Sequence, residues 1–490
     1  MRLVLTPAEM AAADAAIIAA GVPESELVER SGAAVARAVR RLLGGIYGRR
    51  VVVVAGKGNN GADGLVAARL LDGWGARLDV LRLAEGIDPD RLARTLGRAD
   101  LAIDAMYGTG LRGPLTGEAA SVATALDRAV LPVVAVDVPS GVDGTTGAVS
   151  GPAVAATATV CLAALKPGLL FHPGAGYAGD VEVVDIGVRL PEPSIWVADD
   201  GDVAAWVPPR PIESHKWSVG AVMVVGGSDG MTGAPMLSAR AALRMGAGLV
   251  VAALPGKAAV RASGGEVITR ALTATRSGAL DEAGSKEVLD GLERFGSLVV
   301  GPGLGTKKPT AAAVKRLVGE ASVPVVVDAD GLNALAGDLD PLLVRTAPAV
   351  LTPHAGEYER LAGEPVGDDR LEAARRLARR ARAVVVLKGS RTVVAAQDGQ
   401  TAINLTGGPW LATAGTGDVL SGMVAALLAR GMAPFEAATA AVHLHGRAAD
   451  TAGHAGLVAG DLIDALPRTL ASVLRDSPAN KGMAARWSQS

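Results

Sequence analysis

The feature that most limits the fold is a run of four valines at residues 51–54, directly before the glycine-rich loop AGKGNNGADG. A run of β-branched residues without polar alternation is typical of a strand buried on both faces, as in a parallel sheet. Backbone N–H groups at a strand-to-helix turn point towards anions, and Gly56, Gly58 and Gly61 would let the chain pass close to a phosphate. The sequence therefore predicts a parallel α/β sheet with a phosphate-binding loop and a helix that begins at Ala62.

The same loop differs from the dinucleotide-binding pattern G-x-G-x-x-G, because Asn59, Asn60 and Asp63 stand where small residues are usual. Their amide and carboxylate groups indicate recognition of more than a phosphate. The alternative is an ordinary glycine turn of an α/β fold without a ligand, and the loop alone does not decide between the two.

Length and composition narrow the class of protein. The chain has 490 residues, which favours two domains, and its cores must consist of Ala, Val and Leu because only 3% of the residues are aromatic. A formal net charge of −2 with interspersed signs argues against nucleic acid or membrane as partner, so an enzyme acting on small molecules is expected. Cys161 is the only cysteine, which excludes an intrachain disulfide and favours a cytoplasmic location; its apolar neighbours predict burial.

Apolar runs alternate with amphipathic stretches along both halves, which predicts two α/β domains, the first with a doubly wound sheet. Prolines concentrated between residues 190 and 212 indicate the boundary, so we expect domains at 1–205 and 206–477 and a flexible tail at 478–490. Two helices are predicted at 6–20, with Thr6 as cap and Pro7 in its first turn, and at 25–43. The predicted strands span residues 51–55, 78–83, 101–104, 133–137, 157–162, 181–185, 221–225, 249–253, 298–300, 325–328, 349–351, 384–388 and 392–396.

Three aspartates follow strands of the first half, at Asp104, Asp137 and Asp143. Because ligands of open parallel sheets bind at the carboxyl ends of strands, these positions and the loop at 59–63 should converge. Asn60, Asp104 and Ser140 offer only oxygen ligands, which suit a hard cation. For Asp143, within GVDG, a turn-capping role is the favoured interpretation.

The motifs GKGNNGADG, DAMYGTGLRGP, DVPSGVDGTTG and LAALKPGL, in this order, closely resemble the NAD(P)H-hydrate epimerase family over nearly all of the first half. The resemblance implies a Rossmann-like three-layer domain that interconverts the R and S hydrates of NADH and NADPH. It also implies that Asn60, Asp104 and Ser140 bind K⁺ and that Asp137 contacts the substrate; we expect Asp137 to be catalytic and Lys166 to support it. The residues implied to hold the dinucleotide are Asn59, Asn60, Gly61, Ala62, Asp63, Gly108, Thr109, Gly110, Leu111, Arg112, Gly113 and Pro114.

The most specific motif of the second half is ATAGTGDVLSGMVAALLA at residues 412–429, a glycine loop followed by one aspartate and a helix. Backbone N–H groups of Gly415, Thr416 and Gly417, together with the helix dipole, would form an anion hole for a phosphoryl group in transfer. Asp418 would then accept the proton of the attacking hydroxyl. The alternative is that Asp418 only caps the helix.

Histidines and glycine loops complete the second half. His354 follows a strand and has Thr352 and Glu357 as polar neighbours in sequence, whereas His443 and His445 are expected to be packing residues because their spacing places them on different helix faces. A nucleotide site is indicated by GPGLG at 301–305 and by the following run between two strands: Lys388, Gly389, Ser390, Arg391 and Thr392.

The motifs VVGGS, GAGLV, GPGLG, VVDADGLNAL, LTPHAGE, LKGS and AGTGDVLSG resemble the NAD(P)H-hydrate dehydratase family over nearly all of the second half. The resemblance implies a ribokinase-like domain that uses ADP with Mg²⁺ to dehydrate the S hydrate. Ala234, Gly305, His354 and Asp418 would contact the hydrate, and residues 388–392 with Gly417 would hold the nucleotide. Proteins of such families often form homo-oligomers.

Several points stay open at the level of sequence. The chain departs from the family pattern at Ala355, Gly408, Trp410 and Ala414, and the bulk of Trp410 bears on how the nucleotide fits. The alternatives are a ribokinase-like kinase of a small alcohol with an accessory nucleotide-binding domain, or a non-catalytic nucleotide-binding protein. The residues do not distinguish NADH from NADPH, ADP from ATP, or channelling of substrate from free diffusion.

Overall fold

The computed structural model describes residues 1–262 and 265–475, which fall into two compact units. The N-terminal unit is Arg2–Ile195, and the C-terminal unit is Trp196–Ser490 together with Met1. The domain limits inferred from the sequence, 1–205 and 206–477, stay predictions, and the predicted tail at 478–490 lies outside the described residues. No described helix is long and apolar enough to cross a bilayer.

The N-terminal unit alternates strands and helices along the chain. Its elements are β1 (Arg2–Val4), α1 (Pro7–Ala19), α2 (Glu24–Leu42), β2 (Arg50–Ala55), α3 (Asn59–Gly73), β3 (Arg77–Arg82), α4 (Pro89–Leu96), β4 (Leu101–Ala105), α5 (Gly117–Arg128), β5 (Val133–Val136), β6 (Ala158–Leu162), a 3₁₀ turn (Pro167–Leu169), α6 (Gly174–Tyr177) and β7 (Asp180–Val184).

Six of these strands form one parallel sheet in the order β3-β2-β4-β5-β6-β7. All six predicted strands and the doubly wound topology are confirmed, as is the cap of α1, where the side chains of Thr6 and Glu9 form a capping box. The direction in which the sheet is built reverses between β2 and β4, which is where such sheets open a ligand crevice. The hydrophobic cores on the two faces of this sheet consist mainly of Val, Ala and Leu side chains.

One expectation was wrong: α3 begins at Asn59 and not at Ala62. The first amides of a helix need no acceptor within the helix, so asparagine and glycine are tolerated in its first turn. Gly58 caps it in an extended conformation, with φ −98° and ψ −167°. The loop is therefore shorter, and Asn59, Asn60 and Asp63 belong to the helix.

The C-terminal unit repeats the alternation on a larger scale. Its elements follow β8 (Ile195–Val197), which spans the division: α7 (Asp200–Trp206), β9 (Ala221–Val225), α8 (Gly233–Arg244), β10 (Leu249–Pro255), α9 (Ala258–Arg261), β11 (Ile268–Leu272), α10 (Glu282–Asp290), a 3₁₀ turn (Leu292–Arg294), β12 (Ser297–Val300), α11 (Lys308–Glu320), β13 (Val325–Val327), α12 (Asp330–Ala334), α13 (Asp340–Leu343), β14 (Ala349–Leu351), α14 (Ala355–Ala362), α15 (Arg370–Ala381), β15 (Val384–Leu387), β16 (Val393–Ala395), β17 (Thr401–Ile403), a 3₁₀ turn (Pro409–Leu411), α16 (Thr416–Ala429), α17 (Pro434–Ala452) and α18 (Ala459–Leu474).

Nine strands of this unit are ordered β17-β16-β15-β14-β13-β12-β9-β10-β11. They run parallel from β15 to β11, whereas β15, β16 and β17 are antiparallel to one another. All seven predicted strands are present; β11 and β17 were not predicted. Apolar side chains of α8, α16, α17 and α18 form the main core against this sheet.

Candidate functional sites

A cavity of about 540 Å³ opens at the carboxyl ends of β2, β4, β5 and β6 in the N-terminal unit. We call it the N-terminal cavity. The loops after these strands supply its floor, and α1 and α2 supply a wall. Its lining is Met10, Asp14, Ile18, Glu24, Leu27, Val28, Ser31, Lys57, Gly58, Asn59, Asn60, Asp63, Met106, Tyr107, Gly108, Thr109, Gly110, Asp137, Leu162, Lys166 and Ile186.

An ion pair lies in this cavity. Asp137 follows β5 with a left-handed backbone, φ 65°, and its Oδ1 accepts hydrogen bonds from Lys166 Nζ at 2.5 Å and from Leu162 N at 3.1 Å. Lys166 is fully buried and also donates to the carbonyl of Leu162 at 2.5 Å. Burial is the largest influence on the pKa of Lys166 and would lower it, but the charge and hydrogen bond of Asp137, with smaller contributions from Cys161 and Asp14, together raise it. The ammonium therefore stays charged and holds Asp137 in one orientation.

Asp63 lies in the same cavity and is 5% exposed. Burial, followed by the charges of Asp137 and Asp14, raises the pKa of Asp63 to about 8. Burial also raises the pKa of Asp14. The cavity thus contains one carboxylate paired with an ammonium and a second carboxyl group that keeps its proton at neutral pH, which is an acid beside a base.

The predicted K⁺ ligands lie at the edge of the cavity. Asp104 is fully buried; its Oδ1 accepts from the hydroxyl of Ser140 at 2.7 Å and its Oδ2 accepts from Ser140 N at 2.8 Å. Burial raises the pKa of Asp104 to about 6. Asn60 lies over Gly108, and its buried Nδ2 has no hydrogen-bond partner among the described residues. A buried carboxylate without a cationic partner among its contacts, beside amide and hydroxyl oxygens, fits a monovalent cation.

The other predicted residues of this unit divide into two groups. Thr109 and Gly110 line the cavity with Gly108, whereas Leu111 to Pro114 continue the loop away from it. Asp143 accepts hydrogen bonds from Thr145 N, Thr146 N and Thr146 Oγ1, which confirms its role as a turn cap. Cys161 is buried as predicted, and burial raises the pKa of its thiol to about 12.

The second site lies at the start of α16. Gly415 caps this helix with φ 89°, and Asp418 lies in its first turn. Burial, followed by the charge of Asp328, raises the pKa of Asp418 to about 7. Two side chains hold this turn: Ser238 Oγ donates to the carbonyl of Asp418 at 2.8 Å, and His445 Nε2 lies 2.9 Å from the carbonyl of Thr416. The carbonyl can only accept, so Nε2 carries the proton.

Lys388 reaches this turn from the end of β15. A Cβ added to Gly417 would lie 3.3 Å from Lys388 Nζ, so the ammonium is next to the helix N-terminus. Nζ also lies 3.1 Å from Asp328 Oδ1 and 3.7 Å from Glu357 Oε2. We call Gly415 to Asp418 with Lys388 the α16 site. It brings together predicted nucleotide-binding and catalytic residues from separate parts of the C-terminal unit's sequence.

The remaining predicted residues lie on other loops and helix starts of the C-terminal unit. His354 caps α14 through Nδ1, which accepts from Gly356 N at 3.0 Å, and its other ring nitrogen, Nε2, lies 3.5 Å from Glu357 Oε1. Gly305 donates its amide to Asp330 Oδ2 at 2.8 Å. Ala234 lies in the first turn of α8, 3.5 Å from where a Cβ on Gly303 would be. Residues 389–392 form the turn between β15 and β16.

Two further observations concern packing. His443 and His445 are buried and hydrogen-bonded, which confirms that they are packing residues, although His445 also supports the α16 site. Trp410 stacks on His454, with 3.6 Å between ring centroids.

A separate cavity of about 570 Å³ opens at the opposite ends of β14 and β15 and contains none of the predicted site residues.

Comparison with known proteins assigns the chain to a family. Residues 222–470 match the family described as NAD(P)H-hydrate dehydratase, and residues 24–95 and 87–168 match the family described as YjeF-related protein N-terminus. The bifunctional NAD(P)H-hydrate repair enzyme Nnr of Moorella thermoacetica is 41% identical over 497 residues, covering 92% of this chain and 93% of that protein. The chain belongs to the bifunctional NAD(P)H-hydrate repair enzyme family.

The C-terminal half of the chain is also similar to solved structures. A ribokinase-like superfamily protein of Enterococcus faecalis has a TM-score of 0.50 at 24% identity, covering 58% of this chain and 98% of its own, which confirms the predicted ribokinase-like fold. An ADP/ATP-dependent NAD(P)H-hydrate dehydratase of Bacillus subtilis, co-crystallised with ATP and Mg²⁺, is 33% identical with a TM-score of 0.49, covering 56% of this chain and 97% of its own.

Some residues at both sites of this repair-enzyme family member were not predicted. Asp14 and Ser31 come from α1 and α2, which the sequence indicated only as helices packed on the sheet. Asp328 and Asp330 stand in the motif VVDADGLNAL but received no role. A signal did exist for these two, because acids directly after a buried strand lie at the ligand edge of a parallel sheet.

Proposed function

We propose that this chain repairs hydrated NADH and NADPH in two steps. The N-terminal unit interconverts the R and S hydrates, and the C-terminal unit dehydrates the S hydrate at the expense of ADP. The observation that carries this proposal is the presence, in one chain of this family, of a buried Asp137–Lys166 pair in a cavity and of Asp418 at a helix N-terminus. The second step uses only one epimer, so the first step supplies it.

In the N-terminal cavity, inversion of the hydrated carbon requires a proton to move on and off the hydroxyl group or the ring nitrogen. Asp137 would accept that proton, and Lys166 would hold its carboxylate in place. Asp63 would donate a proton from the same cavity, in addition to contacting the substrate. The loop from Gly108 and the first turn of α3 would hold the dinucleotide.

A cation would complete this site. Asn60, Asp104 and Ser140 would hold K⁺, for which their oxygen atoms and the uncompensated charge of Asp104 provide a fit. A bound K⁺ would supply positive charge beside the loops that take the dinucleotide phosphates. Reducing the K⁺ concentration should therefore weaken substrate binding in the first step and leave the second step unchanged.

At the α16 site, the hydroxyl oxygen of the S hydrate attacks the terminal phosphorus of ADP, and its proton passes to Asp418. AMP leaves, and the new phosphate ester then leaves as inorganic phosphate while the neighbouring carbon loses a proton, which restores the ring double bond. Amides at the start of α16 and the ammonium of Lys388 would stabilise the negative charge of the transferring group. A pKa of about 7 suits Asp418 to proton transfer near neutral pH.

Mg²⁺ would bind to the C-terminal unit together with the nucleotide. The described residues contain no cluster of three or more His, Cys, Asp or Glu side chains arranged to hold a metal ion. Mg²⁺ is usually held in part by phosphate oxygens and water, so ADP would supply most of its ligands. Residues 388–392 and Gly417 would position that nucleotide.

We further propose a cytoplasmic homo-oligomer. A single buried cysteine fits a reducing compartment, and surfaces rich in alanine permit self-association. Light scattering after size-exclusion chromatography would give the number of chains per particle, and a mass of one chain would contradict the oligomer.

The test uses purified full-length protein with a mixture of R and S hydrates of NADH. Recovery of the near-ultraviolet dihydronicotinamide absorbance is followed with ADP, with ATP and without nucleotide, after subtraction of spontaneous epimerisation. We expect complete recovery with ADP, partial recovery for Asp137→Ala and none for Asp418→Ala. Asp72→Asn and Asp290→Asn, exposed acids of the two units, serve as controls that keep full recovery.

Failure of recovery with both nucleotides would contradict the dehydratase assignment. The small-alcohol kinase would then be the better hypothesis, and phosphorylation of small alcohols with ATP would be the next assay. Complete recovery by Asp137→Ala at the wild-type rate would instead contradict the role of Asp137 in the first step.

A further inference from the structure

A buried carboxylate that the reaction does not use directly lies behind the α16 site. Asp328 follows β13 and is 1% exposed. Its Oδ1 accepts hydrogen bonds from Thr352 Oγ1 at 2.7 Å and from Lys388 Nζ at 3.1 Å. Thr352 and Lys388 follow β14 and β15, so a single carboxylate oxygen links the ends of three neighbouring parallel strands.

The backbone at this position is strained. Ala329 has φ 50° and ψ −119°, a conformation that residues with a side chain rarely adopt. Such an outlier persists only where the surroundings enforce it. Asp328 and Asp330 stand on either side of Ala329 and have different partners. Asp328 binds Lys388, and Asp330 Oδ2 accepts from Gly305 N at 2.8 Å. A Cβ on Gly301 would lie 1.8 Å from the carbonyl oxygen of Asp328, so the segment has no room to shift.

Lys388 is held by charge as well as by packing. Burial is the largest influence on the pKa of Lys388 and would lower it, but the charges of Asp328, Glu357 and Asp418, with the hydrogen bond to Asp328, together raise it. Asp328 Oδ1 is the nearer partner, at 3.1 Å against 3.7 Å for Glu357 Oε2. Because Glu357 Oε2 also accepts from His354 N at 2.9 Å as part of the cap of α14, Asp328 is the main anchor of the ammonium.

We propose that Asp328 is a positioning residue for the dehydratase reaction, which holds the Lys388 ammonium against the first turn of α16 where a phosphoryl group would be transferred. Asp328 acts through Lys388 and does not itself touch the substrate. Thr352 holds the same carboxylate oxygen, Oδ1, through a second hydrogen bond. The inference rests on the proposed function of the C-terminal unit.

A double-mutant cycle in the full-length protein tests this proposal. Dehydration of the S hydrate is measured for wild type, Asp328→Asn, Lys388→Ala and the double variant, with ADP varied. We expect Asp328→Asn to lower kcat about 10- to 100-fold and to change the KM for ADP by less than about threefold. In the Lys388→Ala background, Asp328→Asn should have almost no effect on kcat, because the Lys388 ammonium through which Asp328 acts is absent.

The results of this cycle distinguish a positioning role from a purely structural one. Additive effects of Asp328→Asn and Lys388→Ala on kcat would overturn the proposal, as would an unchanged kcat for Asp328→Asn. Asp290→Asn, an exposed acid of the same unit, is the matched control and should keep the wild-type kcat. Absence of dehydratase activity in the wild type would mean that the proposed function itself is wrong.

A melting curve like that of wild type shows that Asp328→Asn folds, and a second variant covers the case in which it does not. Thr352→Val keeps the charge of Asp328 and removes the 2.7 Å hydrogen bond that orients it, together with a longer 3.3 Å hydrogen bond from the same hydroxyl to the carbonyl of Val327. We expect kcat to fall a few-fold in the wild-type background and to stay unchanged in the Lys388→Ala background. Equal losses in both backgrounds would contradict the positioning role.

Discussion

At the scale of single residues, Asp63 couples the stability of the N-terminal unit to pH. Its pKa is about 8 in the folded chain, against 3.8 in an unfolded one, so the folded state binds an extra proton between these values. The stability that protonated Asp63 gives the folded unit is fully present below pH 4 and is lost as pH rises towards 8. Asp63→Asn should therefore stabilise this unit increasingly over that range, by at most about 6 kcal/mol at about 1.4 kcal/mol per pKa unit.

Scanning calorimetry of wild type and Asp63→Asn at pH 5, 7 and 9 measures this effect. Asp72→Asn, an exposed acid of the same helix α3, is the control, and its difference from wild type should stay constant across that range. A stability difference for Asp63→Asn that is the same at pH 5 and pH 9 would show that Asp63 has an ordinary pKa in the folded chain.

At the scale of elements, the contact of α8 with α16 determines where Asp418 lies. Gly422 touches α8 so closely that a Cβ would lie 2.0 Å from the carbonyl oxygen of Ser238, the residue whose hydroxyl holds the carbonyl of Asp418. Gly422→Ala should destabilise the C-terminal unit by about 2–4 kcal/mol, although alanine favours a helix by about 1 kcal/mol. Dehydratase activity should fall, and epimerase activity should not.

Gly460→Ala, in the first turn of α18, is the control because nothing lies within 4 Å of its added Cβ. Thermal unfolding of both variants is compared with wild type. Equal stability of Gly422→Ala and Gly460→Ala would mean that the two helices separate without cost, and that their contact does not fix Asp418.

The strands and helices also show which parts of the fold and of the sites could be predicted from the sequence. Most of the strands that were found are continuous apolar runs, a pattern that burial on both faces produces, whereas β3 and β7 alternate polar and apolar residues. Among the strands that were missed, β11 reads ITRAL with polar residues between apolar ones, and β17 reads TAI, with only two apolar residues in succession. Asp418 and Asp137 could be predicted because each follows a glycine turn or a buried strand, whereas Asp14 enters its cavity only through the packing of α1, which depends on the whole unit.

At the scale of the whole molecule, the residues that we propose for each chemical step lie within one compact unit. The N-terminal cavity is lined entirely by residues of Arg2–Ile195, and the α16 site is built entirely from the C-terminal unit. The S hydrate that passes between the steps is a charged dinucleotide, which can diffuse through water. Two separate chains, each with one active unit, should therefore do together what one chain does alone.

This expectation is tested by mixing Asp137→Ala and Asp418→Ala proteins in equal amounts with R and S hydrates and ADP. The first variant retains only the dehydratase step and the second only the epimerase step, so the mixture should reach the same complete recovery of absorbance as wild type. Its rate should rise with the concentration of either variant, because the S hydrate has to diffuse between chains. If the mixture instead stops at the level that Asp137→Ala reaches alone, the S hydrate does not leave the chain that makes it, and the two steps are joined by direct transfer.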